Sequence, residues 1–462
     1  MALKRIMIAG IQSGVGKTTL TLGIMAALRK QGLKVQPYKV GPDYIDPGLH
    51  YHASGRKSHN LDSWMMDSRV IETIFRKNAR DADVSLVEGV MGLFDGAKGE
   101  RLIGSSAHIA LILNLPVILV VNAKGMGRSC LALIKGFKEF DPRINIAGVI
   151  LNNAGSEYYK TQLKNSIEEE LGLKVFGCLP KNKEITMPER YLGLLPAEEN
   201  QRLREVLRQM ADFVEAEVDL AGILQAAEKA PLLEGQALLD LGCPGDGREK
   251  VVIGVAKDEA FSFYYQDSLD YLEELGASLS FFSPLRDPSL PQVDGLYLGG
   301  GFPERFMEEL TRNHSMQEYI RQAFAKGMPI LAEGGGFMYL AKHAVDLQGQ
   351  CWPGVGLIPA TVEMIPKLAA LGYVWATALD DSVLVSKGTV LRGHEFRYSV
   401  TRGLNTGQAA YSLVGGRGAA GRPEGYVKDN LIASYVHFHL RGNPAVAAGF
   451  MDACRRYRRS QL

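Results

Sequence analysis

The sequence is poor in cysteine: five residues in 462, at positions 130, 178, 243, 351 and 454, with no CxxC pair. Thiols this sparse exclude a disulfide-stapled scaffold and read as reduced, mostly buried side chains of a cytoplasmic protein. An excess of one charge is missing as well. Lys and Arg total 52 against 51 Asp and Glu, so neither a nucleic-acid face nor an anionic-membrane face is expected. Long hydrophobic runs are also absent. The longest, IALILNLPVILVV (109–121), is broken by Asn114 and Pro116 and falls short of the roughly 20 apolar residues of a membrane span. It suits a helix end followed by a buried strand. MALKRIMIAG runs straight into a glycine-rich loop, so a cleaved signal peptide is not expected either.

What is present is ordinary globular composition, 46% hydrophobic and 22% charged, in a chain long enough for about two to four domains. KRIMIAG (4–10), LKVQPYKV (33–40), DVSLVEGV (83–90), PVILVVNA (116–123) and INIAGVILNN (144–153) read as strands. TTLTLGIMAALRKQ, VIETIFRKNAR and LALIKGFKEF lie between them at helical spacing. Apolar strands separated by helices imply a parallel sheet covered on both faces. A charged helical stretch spans 197–229, and GQALLDLGCPGDGREK (235–250) combines Gly, Pro and charge as a linker does. A second alternation follows in VVIGVAKD (251–258), SLSFFSP (278–284), GLYLGGG (295–301), PILAEGG (329–335) and LIASYVHFH (431–439). The reading is two α/β domains in tandem, 1–230 and 250–462, joined by a linker at 231–249.

AGIQSGVGKTTLT (9–21) follows a strand and opens a helix. Its glycines let backbone N–H groups face a phosphate, with Lys17 reaching the β/γ-phosphates and Thr18 offering a hydroxyl to Mg²⁺. The strict GxxxxGK[ST] pattern would need Gly at position 11, where this chain has Ile11 after Gly10. Two more segments stand at strand ends, where doubly wound sheets bind ligands: YKVGPDYIDP (38–47) and LVEGVMGLFDG (86–96). Glu88 is placed to help hold Mg²⁺, and Lys39 is a candidate second cation on the transferring phosphoryl group. Asp43 and Asp95 sit in Gly/Pro-rich turns, where an Asp ordinarily just closes the turn.

SGVGKTT, KVGPDYIDP, RKSHNLDSW and EGVMGLFDG, in this order, resemble the cobyrinic acid a,c-diamide synthases. RYLGLLPA (190–197), LGGGFPE (298–304), AEGGGFMYL (332–340), GHEFRYS (393–399) and ASYVHFH (433–439) extend the resemblance over nearly the whole chain. It implies a P-loop NTPase-like domain similar to dethiobiotin synthetase, followed by a class I glutamine amidotransferase-like, flavodoxin-like domain. The implied chemistry is ATP-dependent phosphorylation of peripheral carboxylates of a tetrapyrrole, then displacement of phosphate by ammonia. The resemblance implies an ATP and Mg²⁺ site at Ser13, Gly14, Val15, Gly16, Lys17, Thr18, Thr19 and Glu88. It lifts Asp43 and Asp95 to catalytic candidates beside Lys39. Tyr44, Ile45 and Asn60 become substrate-contact candidates.

In the second domain the family uses a cysteine nucleophile, a histidine base and an oxyanion hole. Gly300 and Gly301 match the last of these and His437 matches the base. The nucleophile is absent: AECGG of the family reads AEGGG here, with Gly334 in its place. Without a thiol the covalent route to ammonia is closed, whereas the turn itself tolerates glycine readily. Arg397 replaces a common family histidine. The expectation is an ammonia-dependent synthetase with a glutaminase-dead second domain and His437 as a vestigial base. Sirohaem, sirohydrochlorin or nickel-sirohydrochlorin are alternative substrates, chosen by a loop at 44–64 that carries His50, His52 and His59. A non-catalytic ATP-binding protein is the reading of a different class; Gln12 stands where partitioning ATPases carry a second lysine. Family habit suggests a homodimer.

Overall fold

A computed structural model describes residues 3–181, 197–233, 249–418 and 420–461. The chain divides into two compact units, Met1–Leu239 and Asp240–Leu462. Most of the linker read at 231–249, nearly all of RYLGLLPA, and Cys243 lie outside the described residues. The four described cysteines are free. Among the described residues no helix is long and apolar enough to cross a membrane.

The first unit alternates β1 (Arg5–Gly10), α1 (Lys17–Lys30), β2 (Val35–Val40), α2 (Ile45–Ser54) and β3 (His59–Leu61). It continues with α3 (Ser68–Ala79), β4 (Val84–Glu88), α4 (Ser106–Ile112), β5 (Val117–Asn122) and α5 (Ser129–Phe140). β6 (Ile146–Ala154), α6 (Glu157–Leu171), β7 (Lys174–Pro180), α7 (Ala197–Glu217) and α8 (Leu220–Glu228) follow. The strands form one sheet in the order β3-β2-β4-β1-β5-β6-β7, parallel throughout. Its central strands are buried end to end, as helices on both faces demand. α7 turns Leu203, Leu207, Met210 and Val214 toward Leu20, Ile24 and Leu28 of α1, one apolar stripe against another.

One expectation needs correcting. Residues 44–64 are not a loop: they contain α2 and β3, and His50 and His59 are buried. Tyr44 is the N-cap of α2. Asp46 and Pro47 fill the helix's first turn, where proline's missing N–H costs nothing.

The second unit opens with β8 (Val251–Ala256), α9 (Gln266–Glu274), β9 (Ala277–Phe282), β10 (Gly295–Leu298), α10 (Met307–Arg312) and α11 (His314–Ala325). β11 (Ile330–Glu333) and α12 (Gly335–Leu340) come next, then a strand-rich stretch: β12 (Ala341–Val345), β13 (Cys351–Pro353), β14 (Ile358–Met364) and β15 (Ala370–Ala378). β16 (Val390–Arg397), β17 (Ser399–Arg402), β18 (Tyr411–Gly415), β19 (Arg422–Glu424) and β20 (Tyr426–Lys428) extend it. β21 (Leu431–Ser434), β22 (Val436–Phe438) and α13 (Pro444–Gln461) close the unit. The main sheet, β20-β21-β11-β10-β8-β9, is parallel except for its edge strand β20. Two further sheets, β13-β12-β14-β17 and β19-β18-β15-β16-β22, are mostly antiparallel.

LIASYVHFH is therefore two strands rather than one. β21 belongs to the parallel sheet and β22 to the five-stranded sheet, with the change at Tyr435. Glu424 holds that crossing, accepting from the Ser434 hydroxyl at 2.6 Å and from the Tyr435 N–H at 2.7 Å.

Candidate functional sites

The first site lies where β1, β2 and β4 end. Gly16 caps α1 with φ 93° and offers no side chain, and the helix's first turn holds no acidic residue. The N-terminal N–H groups are thus left for an anion, and the left-handed backbone at Gly14 and Gly16 suits glycine. Lys17 folds back so that Nζ donates to the Gln12 carbonyl at 2.9 Å. Burial, then the facing Lys39, pushes its pKa below the ordinary lysine value. Gly16, Thr19, Asn152, Pro180 and Phe213 line a cavity beside the loop. Asn152 donates to the Val15 carbonyl at 2.8 Å, fixing the loop's position.

Parallel register sets Lys39 beside both Glu88 and Asn60. Glu88 is fully buried. Its Oε1 accepts from the Thr18 hydroxyl at 2.6 Å and from Lys39 Nζ at 2.8 Å, while Oε2 meets His50 Nε2 at 2.7 Å. Lys39 also pairs with Asp46 Oδ2 at 2.5 Å. Burial would raise Glu88, but Lys39 and His50 outweigh it and hold the carboxyl below its usual range. Burial likewise opposes the charge on Lys39, yet Glu88, Asp46 and Asp43 keep it above the ordinary value. Asp46 is the loser: burial and the charge of Glu88 lift it to about 8, against the pull of Lys39. The ion pair at 2.5 Å and the raised pKa conflict if each group is taken alone. One ammonium shared among several carboxylates resolves the conflict, with Glu88 holding its charge and Asp46 protonating first.

The other named residues have more local tasks. Asp43 Oδ1 accepts from the Ile45 and Asp46 N–H groups at 2.7 and 3.2 Å, starting α2. Asp95 Oδ2 accepts from the Gly92 N–H at 2.9 Å, closing its turn. Asn60, expected to touch substrate, is buried and donates to the Gly41 and Asp43 carbonyls at 2.9 and 2.7 Å. It ties β3 to the turn after β2. Ser13 is exposed on the loop and Ile45 is half-buried. Asp46 has no role in the sequence reading, and His50 appears there only as a residue of the substrate-choosing loop. Their spacing of four on a short helix places both on one face, a signal the sequence carries.

The second site is the turn after β11. Gly334 has φ 50° and ψ −104°, and α12 starts at the next residue. Its N–H donates to the Ser434 carbonyl at 2.8 Å. A Cβ built on Gly334 would lie 2.8 Å from Cε1 and Nε2 of His437, and one on Gly300 would lie 2.7 Å from Cε1. The imidazole therefore rests over the bare elbow, and the structure brings Gly334, Gly300 and His437 together. Gly301 borders the same turn, with its N atom 3.2 Å from the Cβ position of Gly335. His437 Nδ1 is 3.6 Å from Glu333 Oε2. Glu333 is itself fixed by Tyr297 Oη at 2.8 Å and the Phe438 N–H at 3.1 Å. His394, opposite His437 in the register, is pushed down to about 3 by burial and by that neighbour. Arg397 lays its guanidinium 4.7 Å from the ring centre of Tyr435 and pairs with Glu395 at 3.5 Å.

Comparison with known proteins finds a match for each of the two units. Residues 6–194 match the CobQ/CobB/MinD/ParA nucleotide binding domain, and residues 252–445 match the CobB/CobQ-like glutamine amidotransferase domain. A cobyrinate a,c-diamide synthase of Dehalococcoides mccartyi is 44% identical over 455 residues, covering 98% of each chain. Those of Priestia megaterium and Caldanaerobacter subterraneus are 43% and 45% identical, covering 98% of this chain and 98% and 99% of theirs. The chain belongs to the cobyrinate a,c-diamide synthase family.

Proposed function

We propose that this chain uses ATP and Mg²⁺ to amidate the a and c side-chain carboxylates of a cobyrinate-type tetrapyrrole, taking free ammonia as the nitrogen donor. The observation that carries the reading is the contrast between the Thr18–Glu88–Lys39–Asp46 cluster, complete around the buried Glu88 and Lys39, and the elbow at Gly334, which has no thiol. The loop fits a nucleotide: α1 opens with uncapped N–H groups and no acidic side chain, and Lys17 needs only to leave the Gln12 carbonyl to reach a phosphate. The adenine would occupy the cavity by Asn152 and Pro180. Thr18 and Glu88 would hold Mg²⁺, which supplies charge neutralisation on the phosphates when bound.

The chain's own residues orient and neutralise. A substrate carboxylate oxygen attacks the γ-phosphorus, ADP leaves, and an acyl phosphate results. Ammonia then adds to the acyl carbon, phosphate departs with the C–O electron pair, and the surplus proton leaves to solvent. Lys17 and Lys39 face the charge that develops on the transferring group, and such chemistry depends on positioning more than on covalent help. At the elbow, His437 can accept a proton, but position 334 has none to give.

Mass spectrometry of cobyrinic acid incubated with the protein, ATP and Mg²⁺ tests the reading, with glutamine or an ammonium salt as donor. Two carboxylate-to-amide conversions with ammonium and none with glutamine are expected. Equal turnover with glutamine would sink the ammonia-only claim. No product with either donor would sink the choice of macrocycle, and sirohaem or sirohydrochlorin would be tried next.

A further inference from the structure

His50 is fully enclosed in the first unit, one helical turn after Asp46 on α2. Its Nε2 lies 2.7 Å from Glu88 Oε2 and its Nδ1 lies 3.0 Å from Ser58 Oγ. A proton on Nε2 is donated to the carboxylate, and Nδ1 meets the serine hydroxyl on the ring's other side. Each Glu88 oxygen then has its own assignment. Oε1 serves Thr18 and Lys39, and Oε2 is tied to the imidazole. The terminal torsion of a glutamate is otherwise broad; with both oxygens held from opposite sides the carboxylate plane is fixed. The helix that carries His50 is fixed in turn by Asp43 at its start and by Lys39 through Asp46.

We propose that His50 is a positioning residue that locks the Glu88 carboxylate, so that Oε1 stays directed at the Thr18 hydroxyl where Mg²⁺ is to be held. The inference rests on the reading of Thr18 and Glu88 as the Mg²⁺ residues. Ser58 completes the chain by fixing the ring's orientation. Partners that orient a metal-binding group commonly set its affinity by about 10–100-fold.

The test is Mn²⁺ binding to the full chain with and without ATP, followed by electron paramagnetic resonance, for wild type, His50→Gln and Ser58→Ala. His50→Gln should weaken nucleotide-dependent Mn²⁺ binding by about 10–100-fold while ATP affinity without metal stays within about threefold. Ser58→Ala should shift Mn²⁺ binding in the same direction by less. In turnover assays the Mg²⁺ requirement of His50→Gln should rise far more than its kcat at saturating Mg²⁺ falls, a split that loss of folding would not produce. Mn²⁺ affinity unchanged in both variants, or an equal loss of metal-free ATP binding, overturns the inference. If His50→Gln does not fold, Ser58→Ala decides alone. If the wild type itself shows no Mn²⁺ binding that depends on ATP, the underlying metal reading fails with it.

Discussion

Two turns in this molecule run from a buried strand through glycines into a helix, and glycine means opposite things in them. Between β1 and α1 the glycines are the working parts, because removing side chains exposes N–H groups and lets a polyanion approach. Between β11 and α12 the first glycine stands where chemistry would need a side chain, and the surrounding apparatus of His437, Glu333 and Gly300 is still assembled around it. The backbone conformation at φ 50° suits glycine better than any other residue, so a side chain at this position would strain the turn.

The contrast can be broken from either side. The largest effect should come from Glu88→Gln, which leaves Lys39 facing a neutral amide: ammonia-dependent phosphate release should fall by about 10²–10³-fold. A smaller loss would mean that the buried cluster is only structural. Gly334→Cys works in the other direction. The new Cβ must displace His437, which sits 2.8 Å away, and forcing a side chain into that backbone should cost about 1–3 kcal/mol of stability in denaturant melts. Glutamate release from glutamine should nonetheless rise from background by at least about tenfold, as thiolate chemistry opens. Adding His437→Ala to Gly334→Cys should return glutamate release to background. Retention of activity in the double variant would show that another group serves as base.

A further test concerns acid stability. His394 is held near 3 in the folded unit against an ordinary 6.5, so the unfolded chain takes up this proton first as pH falls. The stabilisation is complete above pH 6.5 and drains between pH 6.5 and 3 by about 1.4 kcal/mol per pH unit. Denaturant melts of wild type and His394→Gln across that range should show a shallower slope in the variant.

Much of the first unit was legible because continuous apolar strands and helix periodicity coincide there, and because phosphate loops are local in sequence. Ser13 to Thr19, Lys39 and Glu88 come together through parallel register, which their strand-end positions foretell. What resisted reading was interaction across distance. Asp43 is expected as a catalytic residue and Asn60 as a substrate contact, and the sequence does not announce that their polar atoms also meet neighbouring backbone. His50 looked like a loop residue, because nothing local says that a histidine faces a glutamate 38 residues on. In the second unit the stretch from 341 to 428 forms short strands, mostly antiparallel, whose pairing alone shows which sheet they join. The run at 431–439 reads as one strand for the same reason.

That run has a further consequence for how the second unit comes apart. Because the backbone passes from one sheet to another at Tyr435 without a loop, neither sheet can open there without pulling on the other. The amides of Tyr435, Val436 and Phe438 are bonded to Glu424, Ser434 and Glu333. These three should be among the slowest in the unit to exchange with deuterium, and should exchange together, reporting a single cooperative opening of the two sheets that the run joins.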